Sequence, residues 1–136
     1  MAKLKILIPL EGTEKSMDSI NWLKKSYNKD DVEVGLINVV EIVYTNDLLA
    51  VTDLNNRKVE SGKILDKAAA ELDGYAVLKR TVIGPSVYEI LREAESGGYN
   101  MIAMQKSTKT GLSRVLGSVP SKIIRSSPIP VVIIPE

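Results

Sequence analysis

Apolar positions along this chain follow two alternating periods. Leu4-Lys5-Ile6-Leu7-Ile8-Pro9 is a β-branched and leucine-rich run stopped by Pro9 and Gly12, which predicts a buried strand and then a turn. Beyond Thr13, a residue suited to an N-cap, Met17, Ile20, Leu23 and Tyr27 recur every three or four positions, the pattern of a helix with one face to a core. Asn28-Lys29-Asp30-Asp31 breaks that pattern. Val32 to Val40 predicts a second strand, alternating at first and then almost continuously apolar. Residues 41–54 carry no clear period and read as a mixed connection, with Asn46-Asp47 and Thr52-Asp53 as turn or cap signals. From Asn55 the spacing of Val59, Leu65, Ala68, Ala69 and Leu72 predicts a helix, weakened at Gly62 and stopped at Asp73-Gly74. Tyr75 to Ile83 reads as a third strand. Ser86 and Glu89 have capping-box spacing ahead of Val87, Ile90, Leu91 and Ala94, a helical face closed by Gly97-Gly98. Tyr99 to Met104 predicts a fourth strand, followed by a loop over Gln105 to Ser113. Gly117-Ser118-Val119-Pro120 then opens a short helix with Ile123 and Ile124 inward, Ser126-Ser127-Pro128 ends it, and Ile129 to Ile134 supplies a fifth strand.

Strand and helix thus alternate with no hairpin signal between them. Parallel strands need crossovers, and those crossovers are right-handed in nearly all cases, so the expected fold is α/β: a single doubly wound domain over residues 1–136, a five-stranded parallel sheet with helices on both faces. The composition fits one compact domain, with 136 residues, 44% of them apolar, and 18 basic residues against 17 acidic. The chain has neither cysteine nor histidine. Disulfides, thiol redox and His-based triads are therefore excluded, and no metal centre is expected. The longest apolar runs fall far below the roughly 18 to 20 residues that cross a bilayer, so no membrane span is expected. Met1-Ala2-Lys3-Leu4-Lys5 lacks an apolar h-region, which points to the cytoplasm. Trp22, Tyr27, Tyr44, Tyr75, Tyr88 and Tyr99 are scattered rather than set out as a stacking platform, so nucleic acid is not an expected partner.

In open α/β sheets ligands sit beyond the carboxyl ends of the strands, where the strand order reverses. The loops to read are therefore Pro9-Leu10-Glu11-Gly12-Thr13, after the first strand, and the stretch from Met104 to Gly111 that leads to Gly117-Ser118. The second has the ingredients of a phosphate cradle: small residues, hydroxyls, lysines and a helix N-terminus. Between Ser96 and Pro135 the chain carries Lys106, Lys109, Arg114, Lys122 and Arg125 and no acid. That stretch reads as an anion site or as a solvated basic face balanced by acids elsewhere. Glu11 reads as an acceptor for a ribose or a holder of a divalent cation through a phosphate, or else as a loop acid favoured by a nearby helix start.

Three segments together resemble the universal stress protein family: Ile6 through Ser16, Leu116-Gly117-Ser118-Val119, and Pro130-Val131-Val132-Ile133-Ile134-Pro135. The Val82-Ile83-Gly84-Pro85-Ser86 entry to the third helix is also similar to the family's pattern. The resemblance spans the full chain and implies a flavodoxin-like strand order 3-2-1-4-5. It also implies a homodimer that pairs the last strands, here Val131, Val132, Ile133 and Ile134, consistent with the tendency of an open apolar edge to pair. Pro130 and Pro135 would blunt that edge. The family's nucleotide loop reads glycine, two residues, glycine, nine residues, glycine and serine or threonine. Counting back from Gly117 puts Ser107 and Met104 at the other glycine positions, and a methionine there is expected to add bulk in the path of the ribose or phosphates. Glu11 stands where ATP-binding relatives have aspartate.

The family includes members that hold ATP and members that do not. For a bound ATP or AMP, with Mg, the resemblance implies Pro9 and Val39 at the adenine, Glu11 at the ribose, and Ser107, Gly117, Ser118 and Val119 at the phosphates. Lys109 or Arg114 would supply charge in place of the lost glycine amides. The resulting expectation is a non-enzymatic cytoplasmic stress-response or regulatory dimer with a degenerate adenine-nucleotide site, acting through a protein partner that the sequence does not name. The alternative is a slow ATPase or a self-phosphorylating enzyme using Ser107, Thr108, Thr110 or Ser118, although no evident general base, and no acidic metal cluster apart from Glu11, accompanies them. A phosphoacceptor receiver is excluded because the third strand ends in Thr81-Val82-Ile83-Gly84 without an aspartate. A flavin carrier is disfavoured by Glu11-Gly12-Thr13, which is poor in hydroxyls.

Overall fold

Leu4–Pro9 (β1), Met17–Ser26 (α1), Val32–Val40 (β2), Leu49–Ala70 (α2), Ala76–Ile83 (β3), Ser86–Ser96 (α3), Met101–Gln105 (β4), Ser118–Ser126 (α4) and Val131–Ile134 (β5) follow one another along the chain. They are seen in a computed structural model that describes residues 2–13, 16–41, 49–106 and 116–135, the side chains of 49–52 excepted. The strands form one all-parallel sheet in the order β3-β2-β1-β4-β5. Both the strand number and the order match the expectation. The order reverses at β1: the chain winds out through β2 to β3, then returns to the other side of β1 for β4 and β5.

Alternation along the strands separates two cores. Ile6, Ile8, Val32, Val34, Leu36, Ala103 and Ile134 face the side where Ile20 and Leu23 of α1 and Leu65 and Ala68 of α2 cover them. Leu7, Ile37, Ile102 and Met104 face the opposite side and meet Ile90 and Ala94 of α3, Tyr99, and Ile123 of α4. The central strands are sealed on both faces, which is why their sequences read as nearly unbroken apolar runs. No helix among the described residues is long and apolar enough to cross a membrane.

The structure departs from the sequence reading at element ends. The helix expected from Asn55 begins at Leu49, so Thr52-Asp53 lies inside α2 rather than marking a turn. Each costs only a few tenths of a kcal/mol against alanine in a helix, and a long amphipathic helix propagates through such positions once nucleated. Asn46-Asp47 lies outside the described residues. The first helix starts at Met17, not directly after Thr13, whose carbonyl instead accepts the Ser16 N–H at 3.0 Å. In α4, Ile123 is fully buried but Ile124 is 45% exposed. Successive helical residues are turned by about 100°, so a narrow stripe takes only one of them. The Ser86–Glu89 capping box does not form. Pro85 occupies the N-cap position, which leaves the Ser86 hydroxyl one residue too far along, and the α3 terminus is capped from elsewhere in the chain.

Candidate functional site

The carboxyl ends of β1, β2 and β4 and the N-termini of α3 and α4 enclose a cavity of about 390 Å³. It lies where the strand order reverses, the place a doubly wound sheet opens a crevice. Neighbouring strands are about 4.8 Å apart, so the ends of β2 and β4, with β1 between them, lie about 10 Å from each other across the cavity.

The β1 side is held by hydrogen bonds between strand ends. Leu10 donates its N–H to the Ile37 carbonyl at 2.9 Å, and the buried Asn38 donates its Nδ2 to the Leu10 carbonyl at 2.7 Å. Gly12, at φ +84°, turns the chain directly after Glu11, and a Cβ there would sit 2.6 Å from Cδ1 of Ile64. Only glycine adopts that backbone readily. The Glu11 N–H reaches Ser16 Oγ at 3.2 Å, which fixes the loop while the Glu11 side chain stays at the exposed rim.

The β2 side carries an internal anion. Glu41 Oε1 accepts the Ser86 N–H at 3.0 Å, so a carboxylate from the end of β2 caps α3. The Glu41 carbonyl accepts a hydrogen bond from the Arg57 guanidinium of α2. The Ser86 backbone N–H, and then its hydroxyl, hold the Glu41 carboxyl below the ordinary carboxylate range against the opposing effect of burial; Arg57 and Lys122 add smaller contributions in the lowering direction. A lowered carboxyl pKa contributes stability above the unfolded value and loses it as pH falls through the folded one. Glu41→Ala is therefore expected to cost about 1 kcal/mol at neutral pH, the usual worth of an N-cap. Urea denaturation should show that gap closing as pH falls below the ordinary carboxylate range, and a gap that does not narrow on acidification would contradict the cap.

The α4 side is different. Gly117 is the N-cap, at φ −60° and ψ 162°, and no side chain caps the helix among the described residues. Its N–H is held by the Lys106 carbonyl at 2.8 Å, and Lys106 is in turn tied to Ile134 at 3.1 Å, so β4 and β5 fix where the helix begins. The first helical turn leaves the N–H groups of Ser118 and Val119 for an outside acceptor at the positive end of the helix dipole, while Pro120 has no N–H to satisfy. All four residues line the cavity. One cavity therefore meets two helix N-termini, one filled by Glu41 and one left open by the described residues.

Pro9, Glu11, Val39, Gly117, Ser118 and Val119, drawn from three distant parts of the sequence, all line this cavity. Ser107, Lys109 and Arg114 lie outside the described residues. Met104 lines the cavity too, but it is only 4% exposed and packs with Leu7, Ile37, Ile90 and Ile123. Its bulk goes into the core and floors the cavity rather than filling it. Sequence reasoning missed Asn38, Glu41, Arg57, Ser86 and Gln105. Glu41 and Ser86 are 45 residues apart, and no local pattern links them. Among the described residues no group of three or more Asp, Glu, His or Cys is placed to hold a metal ion.

Comparison with known proteins agrees with this geometry. The universal stress protein family matches residues 4–135. The chain is 28% identical over 137 residues to universal stress protein MJ0531 of Methanocaldococcus jannaschii, covering 96% of this chain and 81% of that one. The solved structure of the protein MJ0577 superposes with a TM-score of 0.87 at 26% identity, covering 98% of this chain and 96% of that one. A universal stress protein family protein from Arabidopsis thaliana, solved with AMP bound, shares the fold with a TM-score of 0.71 at 15% identity, over 96% of this chain and 90% of that one. A family match over nearly the whole length, on the expected sheet order, means that this chain belongs to the universal stress protein family.

Proposed function

We propose that the cavity binds an adenine nucleotide, AMP or ATP with its magnesium, and that the chain is a non-enzymatic, cytoplasmic stress-response protein whose output is regulated association with a protein partner. The observation that carries this reading is the open N-terminus of α4 at one end of an apolar-floored cavity, an anion site about 10 Å from the end of β2. That separation suits a nucleoside phosphate. In this reading the phosphates meet Gly117, Ser118 and Val119, the ribose meets Glu11, and the base lies against Pro9 and Val39. Ser107 and Lys109, in the segment between β4 and α4, add a hydroxyl and a charge. The AMP-bound relative supports the ligand class. Glu41, the other carboxylate on the cavity, is committed to the α3 terminus rather than placed as a general base.

Titration calorimetry of nucleotide-free protein with AMP and with Mg-ATP tests this. Saturable micromolar binding that weakens with salt is expected; no binding up to millimolar nucleotide would overturn the reading. Steady release of phosphate from bound ATP would favour the slow ATPase instead. A homodimer through Val131, Val132, Ile133 and Ile134 belongs to the same proposal. The first three are only half-buried on an edge strand, a surface that a second copy can complete. Light scattering should give about twice the 14.9 kDa chain mass, and a monomer at all concentrations would remove the dimer.

A further inference from the structure

Among the described residues that line the cavity, Arg57 of α2 is the only cation. It does not stand at the anion end. One guanidinium nitrogen donates to the carbonyl of Glu41, the residue directly after β2, which fixes the half-buried side chain over the end of that strand, across the cavity from the open terminus of α4. That bond uses one of the five N–H donors of the group, and no carboxylate among the described residues forms an ion pair with it. A cation retained only to neutralise phosphate would sit beside α4, so its placement at the β2 end calls for another use. Strand alternation shows what it faces. Pro9 and Val39 share the sheet face of Leu7 and Ile37, which α3 and α4 cover. Arg57 comes instead from α2, which covers the opposite face, and reaches over the end of β2 from that side.

Resting on the nucleotide reading, we propose that Arg57 is a specificity-determining residue that stacks its guanidinium on the base, closing the ring against Pro9 and Val39, so that the site takes purine in preference to pyrimidine nucleotides. A guanidinium is planar and weakly hydrated and lies flat on an aromatic face, whereas an ammonium is a compact, strongly hydrated point charge. The bond to the Glu41 carbonyl holds that plane in position before the ligand arrives, which lowers the entropy lost on stacking. The larger purine ring covers more of the plane than a pyrimidine does. Contact with the base rather than the phosphate also means that adenosine and AMP gain equally from Arg57.

Arg57→Lys keeps the charge and a donor for the Glu41 carbonyl but removes the plane. Calorimetry with adenosine, AMP and UMP is expected to show the wild type binding AMP more tightly than UMP. In the variant adenosine and AMP should each weaken by about fivefold, in equal measure, while UMP weakens by less than about twofold. The free variant should melt within about 2 °C of the free wild type, as a substitution that leaves the packing intact does. Loss of AMP affinity without loss of adenosine affinity would put Arg57 on the phosphate and overturn the proposal. Equal losses for AMP and UMP, or a lower melting temperature of the free variant, would assign the side chain to the Glu41 contact and the fold, and overturn it as well. AMP binding by the wild type with all three affinities unchanged in Arg57→Lys overturns this inference alone. No AMP binding by the wild type overturns the nucleotide reading and this one with it.

Discussion

Gly117→Asp is expected to abolish measurable AMP binding while leaving the fold as stable as the wild type or slightly more so. The N-cap backbone at φ −60° and ψ 162° is extended, a conformation that aspartate adopts at helix starts without strain. Its carboxylate would accept the Val119 N–H, the one capping partner available, because Pro120 lacks an N–H. Replacing glycine by a capping residue is worth a few tenths of a kcal/mol, and a negative charge at the positive end of the helix adds about 0.3–1 kcal/mol. The gain to the fold is a loss to the ligand: the phosphate finds an amide taken and a like charge beside it. A charge-assisted hydrogen bond of about 1.5–3 kcal/mol, with repulsion added, amounts to roughly a hundredfold or more in affinity. Adenosine, without the phosphate, should bind the variant nearly as it binds the wild type, and Gly117→Asn should lose less than the aspartate. The logic is already built into the molecule at α3, where Glu41 fills the terminus. AMP binding unchanged in Gly117→Asp, measured by calorimetry, would place the phosphate elsewhere.

How much of this was legible in the sequence depended on whether the determining contacts were local. β1 and β2 were readable to the residue because strands buried on both faces must be apolar almost throughout, and β1 spans Leu4–Pro9 and β2 Val32–Val40 as expected. The sheet's reversal at β1 followed from family resemblance, and with it the strand ends where a cavity had to be. This is why Pro9, Glu11, Val39 and Gly117 to Val119 could be named before their distances were known. The cap on α3 was not legible: the motif-like Ser86 and Glu89 pair was a local signal, but Glu41 supplied the acceptor from another strand. Met104 was misjudged for a related reason. Glycine spacing counted along the chain ignores that β4 runs to Gln105, which turns the Met104 side chain into the core shared by α3 and α4. Gln105, assigned to a loop, is a buried strand residue.

The largest effect on folding is expected at Gly35. A glycine in the interior of a central strand weakens it through backbone entropy, so alanine there would ordinarily stabilise by about 0.4–1 kcal/mol. Gly35 lies between Leu7 of β1 and Leu78 of β3 in register, and Tyr99 crosses the sheet over it. A Cβ at Gly35 would stand 1.9 Å from Tyr99 Oη and 2.4 Å from Cζ. The tyrosine cannot simply swing away. It is 6% exposed, its N–H is bonded to the Ala94 carbonyl at 3.0 Å, and the Lys5 ammonium sits 5.0 Å from its ring centroid. Burial, reinforced by the Glu93 carboxylate, also pushes its phenol up, so it stays neutral in that slot at physiological pH. Overpacking of this kind costs about 1–3 kcal/mol, enough to exceed the entropic gain and reverse its sign. Gly35→Ala should therefore lower the urea midpoint of the free protein with little change in slope. In a Tyr99→Leu background, which removes the crossing ring, the same substitution should become neutral or stabilising, and the difference between backgrounds is the coupling of the two positions. A Gly35→Ala protein as stable as the wild type, or one equally destabilised in both backgrounds, would show that Tyr99 does not occupy the space glycine leaves.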